Sequence, residues 1–338
     1  MNQELLRAPF PYFGGKSTVA EEVWKRFGAV QNYIEPFFGS GAVLLSAPWP
    51  VNRAETVNDK DGFIANFWRA VSADPEQVSH YVDWPVNEND LHARHAWMTG
   101  QRDSLAVKLE GDPEWYDPKI AGWWCWGMSC WIGSGFCNGS GPWHVENGQL
   151  INKRVESTKK TGVVRGCIKM DRGTGVNRKR VMLHGSGITG KTAIKVWFHT
   201  LSERLRQVRV CCGDWKRVCN SYTVTTRGGL TGVFLDPPYS KEANRADLYT
   251  QEDKQVAHEV RSWCRERGED NLMRIALCGY EGEGHEVLEK LGWTVFKWKA
   301  AGGYESQGSK EKETINCERE RIWFSPRCIT PRKQGFFF

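Results

Sequence analysis

The run Gly232-Val233-Phe234-Leu235-Asp236-Pro237-Pro238-Tyr239 passes from apolar residues straight into an acid, two prolines and a tyrosine. Its first half reads as a buried strand, and the prolines forbid the strand from continuing. Asp236 and Tyr239 are therefore expected on a rigid turn at a strand's carboxyl end, where open α/β sheets place their chemistry. Upstream, Val208-Arg209-Val210-Cys211-Cys212-Gly213-Asp214-Trp215 has the same form, a strand closed by an acid and an aromatic. Downstream come a helix from about Glu252 to Arg267, a strand Met273 to Cys278, a short helix near His285 to Leu291, and two strands, Thr294 to Trp298 and Arg321 to Ser325. Strands alternating with helices and closing on a hairpin-like pair predict an α/β fold, a doubly wound and mostly parallel sheet with an antiparallel edge.

The amino-terminal part holds three further motifs. Tyr12-Phe13-Gly14-Gly15-Lys16-Ser17 precedes a helical pattern carrying Val19, Ala20, Val23, Trp24 and Phe27 on one side. Its glycines permit close backbone approach to a ligand, Ser17 is placed to cap the helix, and Lys16 is long enough to reach an anion. Next, Tyr33-Ile34-Glu35-Pro36-Phe37-Phe38-Gly39-Ser40-Gly41 leads into Ala42-Val43-Leu44-Leu45, a strand, a glycine turn and a helix start. The third glycine of a dinucleotide fingerprint is missing, which disfavours an NAD site. Thr56-Val57-Asn58-Asp59 then ends a second strand in an acid, suited either to a ribose diol or to capping the helix that follows.

Composition bounds the class. The chain has 338 residues, 40% of them apolar, enough for a real core. Its sequence offers no run of 18 apolar residues and no export signal at Met1 to Pro11, so a cytoplasmic protein is expected, without a membrane span. Eleven cysteines with no C-x-x-C spacing read as reduced thiols. Cys125, Cys130, Cys137 and His144 fit no zinc spacing, and no metal is expected.

The net charge of +6 is modest but unevenly spread. Between Lys153 and Lys195 lie twelve basic residues and two acids, Glu156 and Asp171. Lys153, Arg154, Lys159, Lys160, Arg165, Arg178, Lys179 and Arg180 are candidate contacts to a polyanion backbone; the alternative is a solvated loop. Just before it, Trp115, Trp123, Trp124, Trp126, Trp131 and Trp143 suit a packed core or a base-stacking surface. Gly185-Ser186-Gly187-Ile188-Thr189-Gly190-Lys191-Thr192 matches G-x-x-x-x-G-K-[ST], so a P-loop nucleoside triphosphatase is a competing reading, with Val233 to Asp236 as its magnesium-binding strand. Against it, the motif follows a glycine-broken basic stretch, and its acid would be locked before a double proline.

Taken together, Tyr12-Phe13-Gly14-Gly15-Lys16, Glu35 to Gly41, Asn58-Asp59, Gly213-Asp214-Trp215 and Asp236-Pro237-Pro238-Tyr239 resemble, in order, the motifs of the Dam-like (D12 class) DNA adenine-N6 methyltransferases, many of them carried by bacteriophages and prophages. The resemblance implies the S-adenosylmethionine-dependent methyltransferase fold with an inserted target-recognition domain. Residues 1–121 would form the cofactor-binding half, 122–192 the inserted region and 193–338 the catalytic half. It also implies S-adenosyl-L-methionine as methyl donor, with Tyr12, Phe13, Gly15 and Lys16 beside it, Glu35, Pro36, Phe37, Gly39 and Gly41 around its methionine part, Asp59 on the ribose, and Asp214 with Trp215 near the adenine. Asp236, Pro237, Pro238 and Tyr239 would be catalytic, acting on an adenine flipped out of double-stranded DNA. An acid at Asp236 favours adenine over cytosine, and both a restriction-modification partner and a solitary enzyme fit the resemblance. The centre of the chain carries no shared motif, so the recognition sequence does not transfer.

Overall fold

A computed structural model of the protein describes residues 6–12, 15–48, 52–131, 136–137, 143–146, 149–152, 191–221, 229–238, 251–298 and 319–330; at 143–146, 149–152, 191 and 251–254 it describes the backbone alone. The chain forms two compact units, one of residues 1–11 and 61–206, the other of 12–60 and 207–338. The unit boundaries fall near residues 60 and 206, and the helices after Asp61 pack with one another.

The second unit is built on seven strands: β1 (Asn32–Glu35), β2 (Ala54–Asp59), β3 (Val208–Cys212), β4 (Thr231–Leu235), β5 (Met273–Tyr280), β6 (Thr294–Lys297) and β7 (Glu320–Phe324). Their order across the sheet is β3-β2-β1-β4-β5-β7-β6. The pairings β1 with β2, β1 with β4, β2 with β3 and β4 with β5 are parallel, while β7 pairs antiparallel with both β5 and β6. This is the expected doubly wound sheet with an antiparallel edge. The chain winds outward through β1, β2 and β3, then returns to lay β4 against the other side of β1. The order therefore reverses between β1 and β4, and the crevice at their carboxyl ends is the topological switch point.

Strands β1 and β4 are buried along their whole length, and in β4 this shows as the contiguous apolar run Val233 to Leu235. One sheet face packs Ile34, Val233, Leu235, Ile275 and Leu277 against Val260, Trp263 and Cys264 of the helix Gln251–Arg267. On the other face Tyr33 meets Trp24 and Phe27 of helix α1 (Ala20–Phe27), with ring centroids 4.8 and 6.3 Å apart. Ser17 does not cap this helix. Its N-cap is Val19, with no side-chain cap bond, because a turn from Lys16 O to Val19 N carries the chain past Ser17.

The first unit is helical: Gly62–Ala73, Pro75–Val82, Glu88–Thr99, Arg102–Gly111, Pro118–Cys130 and Lys191–Leu205, with an antiparallel hairpin of Trp143–Glu146 and Gln149–Asn152. Asp61, Asp74, Asn87 and Asp117 cap four of these helices through side-chain bonds to backbone N–H groups. The tryptophan-rich segment is largely the helix Pro118–Cys130, and Trp124 and Trp126 are buried in the core, as are Trp68 and Trp197. Gly122 is required there, since a β-carbon on it would stand 2.4 Å from Tyr81 Cβ of the neighbouring helix. Arg94 lies over the rings of Trp84, Trp123 and Trp126 at 4.8, 4.7 and 4.4 Å, which explains how a guanidinium is held among them. The residues Lys153, Arg154, Lys159, Lys160, Arg165, Arg178, Lys179 and Arg180, and Gly185 to Gly190 of the P-loop-like motif, lie outside the described residues; Lys191 and Thr192 begin a helix.

Among the described residues no helix is long and apolar enough to cross a membrane, and no group of three or more His, Cys, Asp or Glu could hold a metal ion.

Candidate active site

Each parallel strand around the switch point hands its motif to the same end of the sheet. Strand β1 ends at Glu35, β2 at Asp59, β3 runs into Gly213-Asp214-Trp215, and β4 ends at Leu235, just before Asp236. All of these residues belong to the sheet unit.

Two glycines shape the turn after β1. Gly39 and Gly41 adopt φ values of +47° and +63°, left-handed conformations that side chains resist. A β-carbon on Gly39 would also come within 2.5 Å of the Tyr12 ring, so the Tyr12 side chain lies directly over the turn. Asp59 Oδ2 accepts the Gly39 N–H at 2.8 Å. The cap of the following helix falls instead to Asp61, which accepts the Phe63 N–H, so Asp59 is left to serve the turn. Asn58 ties the neighbouring strand ends together. Its Nδ2 donates to Pro36 O at 3.1 Å and to Gly213 O at 2.9 Å, and its backbone carbonyl accepts the Phe38 N–H at 3.0 Å. Trp215 is buried, tilted against Phe37 with centroids 6.2 Å apart, and its indole Nε1 has no partner among the described residues. Asp214 is exposed and accepts the Lys216 N–H at 2.8 Å.

Lys16 and Asp236 form the charged centre. Lys16 Nζ stands 2.9 Å from Asp236 Oδ2, with the lysine 4% and the aspartate 22% exposed. Burial works against the ammonium, but the Asp236 carboxylate, then Cys278 and Glu320, more than offset it, and the Lys16 pKa lies above its ordinary value. Strand alternation explains the grouping. Glu35, Asp236, Cys278 and Glu320 fall on the α1 face at the ends of β1, β4, β5 and β7. Glu35 is buried, and Tyr33 OH donates to its Oε2 at 2.8 Å. Burial pushes the Glu35 pKa well up; Asp236 and Asp59 add to this, and Tyr33 and the Leu44 N–H oppose it.

The structure therefore brings together Tyr12, Gly15, Lys16, Glu35, Pro36, Phe37, Gly39, Gly41, Asp59, Asp214, Trp215, Asp236, Pro237 and Pro238 at one sheet end. Phe13 and Tyr239 lie outside the described residues. Lys16, expected beside the donor, is engaged by Asp236. Three residues of the site were given no role by the motifs. Tyr33 was recoverable, since strand alternation puts it on the face of Glu35. Asn58 acts through backbone carbonyls distant in sequence, and Glu320 precedes the expected start of its strand. The cradle suits a cationic amino-acid nucleoside: backbone only at Gly39 and Gly41, a buried acid at Glu35, and an acid at the end of β2. No observation favours the nucleoside triphosphatase reading, and the acid it would assign to magnesium is ion-paired to Lys16.

Comparisons with known proteins agree with the amino-terminal motifs. Residues 12–97 match the family described as D12 class N6 adenine-specific DNA methyltransferase. A stretch of 107 residues is 28% identical to a protein of Escherichia phage P1 named DNA N-6-adenine-methyltransferase; it covers 30% of this chain and 14% of that protein. The D12 match takes in α1, β1, the glycine turn and β2, and the α/β sheet is of the kind that S-adenosylmethionine-dependent methyltransferases use.

Proposed function

We propose that the chain is a DNA adenine-N6 methyltransferase that uses S-adenosylmethionine as its methyl donor. The observation that carries this reading is the Lys16–Asp236 ion pair standing beside the Glu35 to Gly41 turn at the switch point of one sheet. In this reading Glu35 and the turn hold the methionine part of the donor, Asp59 the ribose hydroxyls, and Asp214 and Trp215 the adenine, with Tyr12 covering the turn. When bound, the donor supplies a methyl group on a sulfonium, an already activated leaving group.

The remaining work belongs to the chain. An adenine N6 amine is a poor nucleophile because its lone pair is delocalised into the ring. The Asp236 carboxylate and the Pro237 carbonyl accept its two hydrogens, which draws the nitrogen toward tetrahedral geometry and aims the lone pair. The two prolines hold these acceptors rigidly. Lys16 orients the carboxylate through its 2.9 Å contact. Tyr239 stacks on the base. Because that base has to leave the duplex, double-stranded DNA is the partner, and the basic residues from Lys153 to Arg180 supply phosphate contacts that offset the unstacking. The protein then works where the DNA is, in the cytoplasm of a bacterial cell.

The test is transfer of a labelled methyl group from S-adenosylmethionine to unmethylated duplex DNA by the purified full-length chain. Label recovered as N6-methyladenine, and lost with Asp236→Ala, is the expected result. Label found only in cytosine, or absent with folded, donor-binding protein, overturns the reading.

A further inference from the structure

Glu35 is the least compensated charge-bearing group of the site. It is 2% exposed, and Tyr33, whose hydroxyl donates to it at 2.8 Å, is 0% exposed. The groups facing it are Tyr33 on its own strand, the Leu44 N–H, Asp59 from β2, Asp236 from β4 and Cys278 from β5. Every titratable side chain in that set is an acid. Arg53 and Glu55, at the start of the neighbouring strand β2, act on Tyr33 and are paired to each other at 2.8 Å. The nearby ammonium, Lys16, is committed to Asp236 at 2.9 Å. Among the described residues no cation stands at ion-pairing distance from Glu35.

A buried carboxylate in such surroundings is costly, and taking up a proton relieves the cost. Burial, then Asp236 and Asp59, drive the Glu35 pKa well above the carboxylate range against the pull of Tyr33 and Leu44. A cation seated beside Glu35 reverses this balance, since an opposite charge favours the ionised form.

We infer that Glu35 is a neutral carboxylic acid in the donor-free protein and releases its proton to solvent when the α-ammonium group of the donor is seated against it, so that donor binding is coupled to proton release. This rests on the proposed use of S-adenosylmethionine. The balance is simple: a carboxylic acid and a ligand ammonium become a carboxylate–ammonium pair and one proton in bulk water. The sign follows. Below the pKa of Glu35 in the donor-free protein, raising pH strengthens binding by up to about tenfold per unit, and above it the dependence flattens.

The experiment is calorimetric titration of the full chain with S-adenosylmethionine and with S-adenosylhomocysteine in buffers of different ionisation enthalpy. It is run from about pH 5.5 to about pH 7, below the titration of a free α-amino group near about 8. The expected result is proton release on binding, equal for both ligands, with affinity rising as pH is raised. Glu35→Gln binds without proton release and with a flat pH profile. In the wild-type protein, which needs no substitution to be read, the infrared carbonyl band of a protonated acid disappears on ligand addition. Binding with the same heat in every buffer overturns the inference, as does an unchanged infrared band. Release with S-adenosylmethionine alone overturns its assignment to the ammonium. Absence of binding by either ligand overturns the underlying donor reading, and this inference with it.

Discussion

Replacing Lys16 by methionine removes the charge of the central pair while keeping an unbranched side chain in its slot. Breaking a fully buried ion pair by removing one partner costs about 3–5 kcal/mol, because the other charge is left uncompensated. Lys16 is 4% exposed, but the 22% exposure of the Asp236 side chain lets water take over part of its solvation. Discounting for that screening leaves about 2–3 kcal/mol for Lys16→Met. Asp236→Asn strands the lysine instead, and Glu320, which also raises the Lys16 pKa, softens that loss to about 2 kcal/mol. The double variant carries neither charge, so the two losses do not add, and the coupling energy is about 1–2 kcal/mol. Native-state hydrogen exchange at the amides of β1 and β4 reads the sheet unit by itself and gives all four corners of the cycle. Additivity within about 0.5 kcal/mol would refute the argument. The pH dependence has a definite sign: the Lys16 pKa is raised on folding, so the contribution is complete below the ordinary lysine value near about 10.4 and disappears only as pH climbs through the higher folded value. Measured at pH 7 and pH 9, the coupling should be the same.

Gly39→Ala places a side chain at a φ of +47° and drives its β-carbon to 2.5 Å from the Tyr12 ring. The strain of about 1–2 kcal/mol, with the displacement of Tyr12, should weaken S-adenosylmethionine binding at least about tenfold by calorimetry, and unchanged affinity would contradict the account of the turn. Asn58→Ala removes the donors to Pro36 O and Gly213 O, leaving two carbonyls without them. A loss of about 2–4 kcal/mol in urea unfolding is expected, and a loss under about 0.5 kcal/mol would show that Asn58 does not bind the strand ends together.

The sheet was legible because parallel strands buried on both faces keep their apolar residues contiguous, as in Val233 to Leu235, and because a double proline marks where β4 stops. The acids at strand ends were legible for the same reason, since an acid closing an apolar run is conspicuous. Other features depended on distance in sequence. Nothing local announces that the Asn58 amide reaches carbonyls 22 and 155 residues away. Glu320 resembled the charged loop before it, and its place in β7 follows from pairing with Tyr280. The helix Pro118–Cys130 was obscured by glycines, which there serve close packing against Tyr81 and Phe136. The caps traded places between Asp59 and Asp61 because the glycine turn, a tertiary neighbour, takes the first of the two acids.

The central claim is that Asp236, held by Lys16 at the end of β4, receives an adenine amine for methylation. Its most direct test is to express the full chain in a host that lacks adenine methylation and to quantify N6-methyladenine in the digested host DNA. The account predicts N6-methyladenine with the wild-type chain and none above background with Asp236→Ala at equal expression. DNA free of N6-methyladenine from cells holding folded, donor-binding wild-type protein would contradict it.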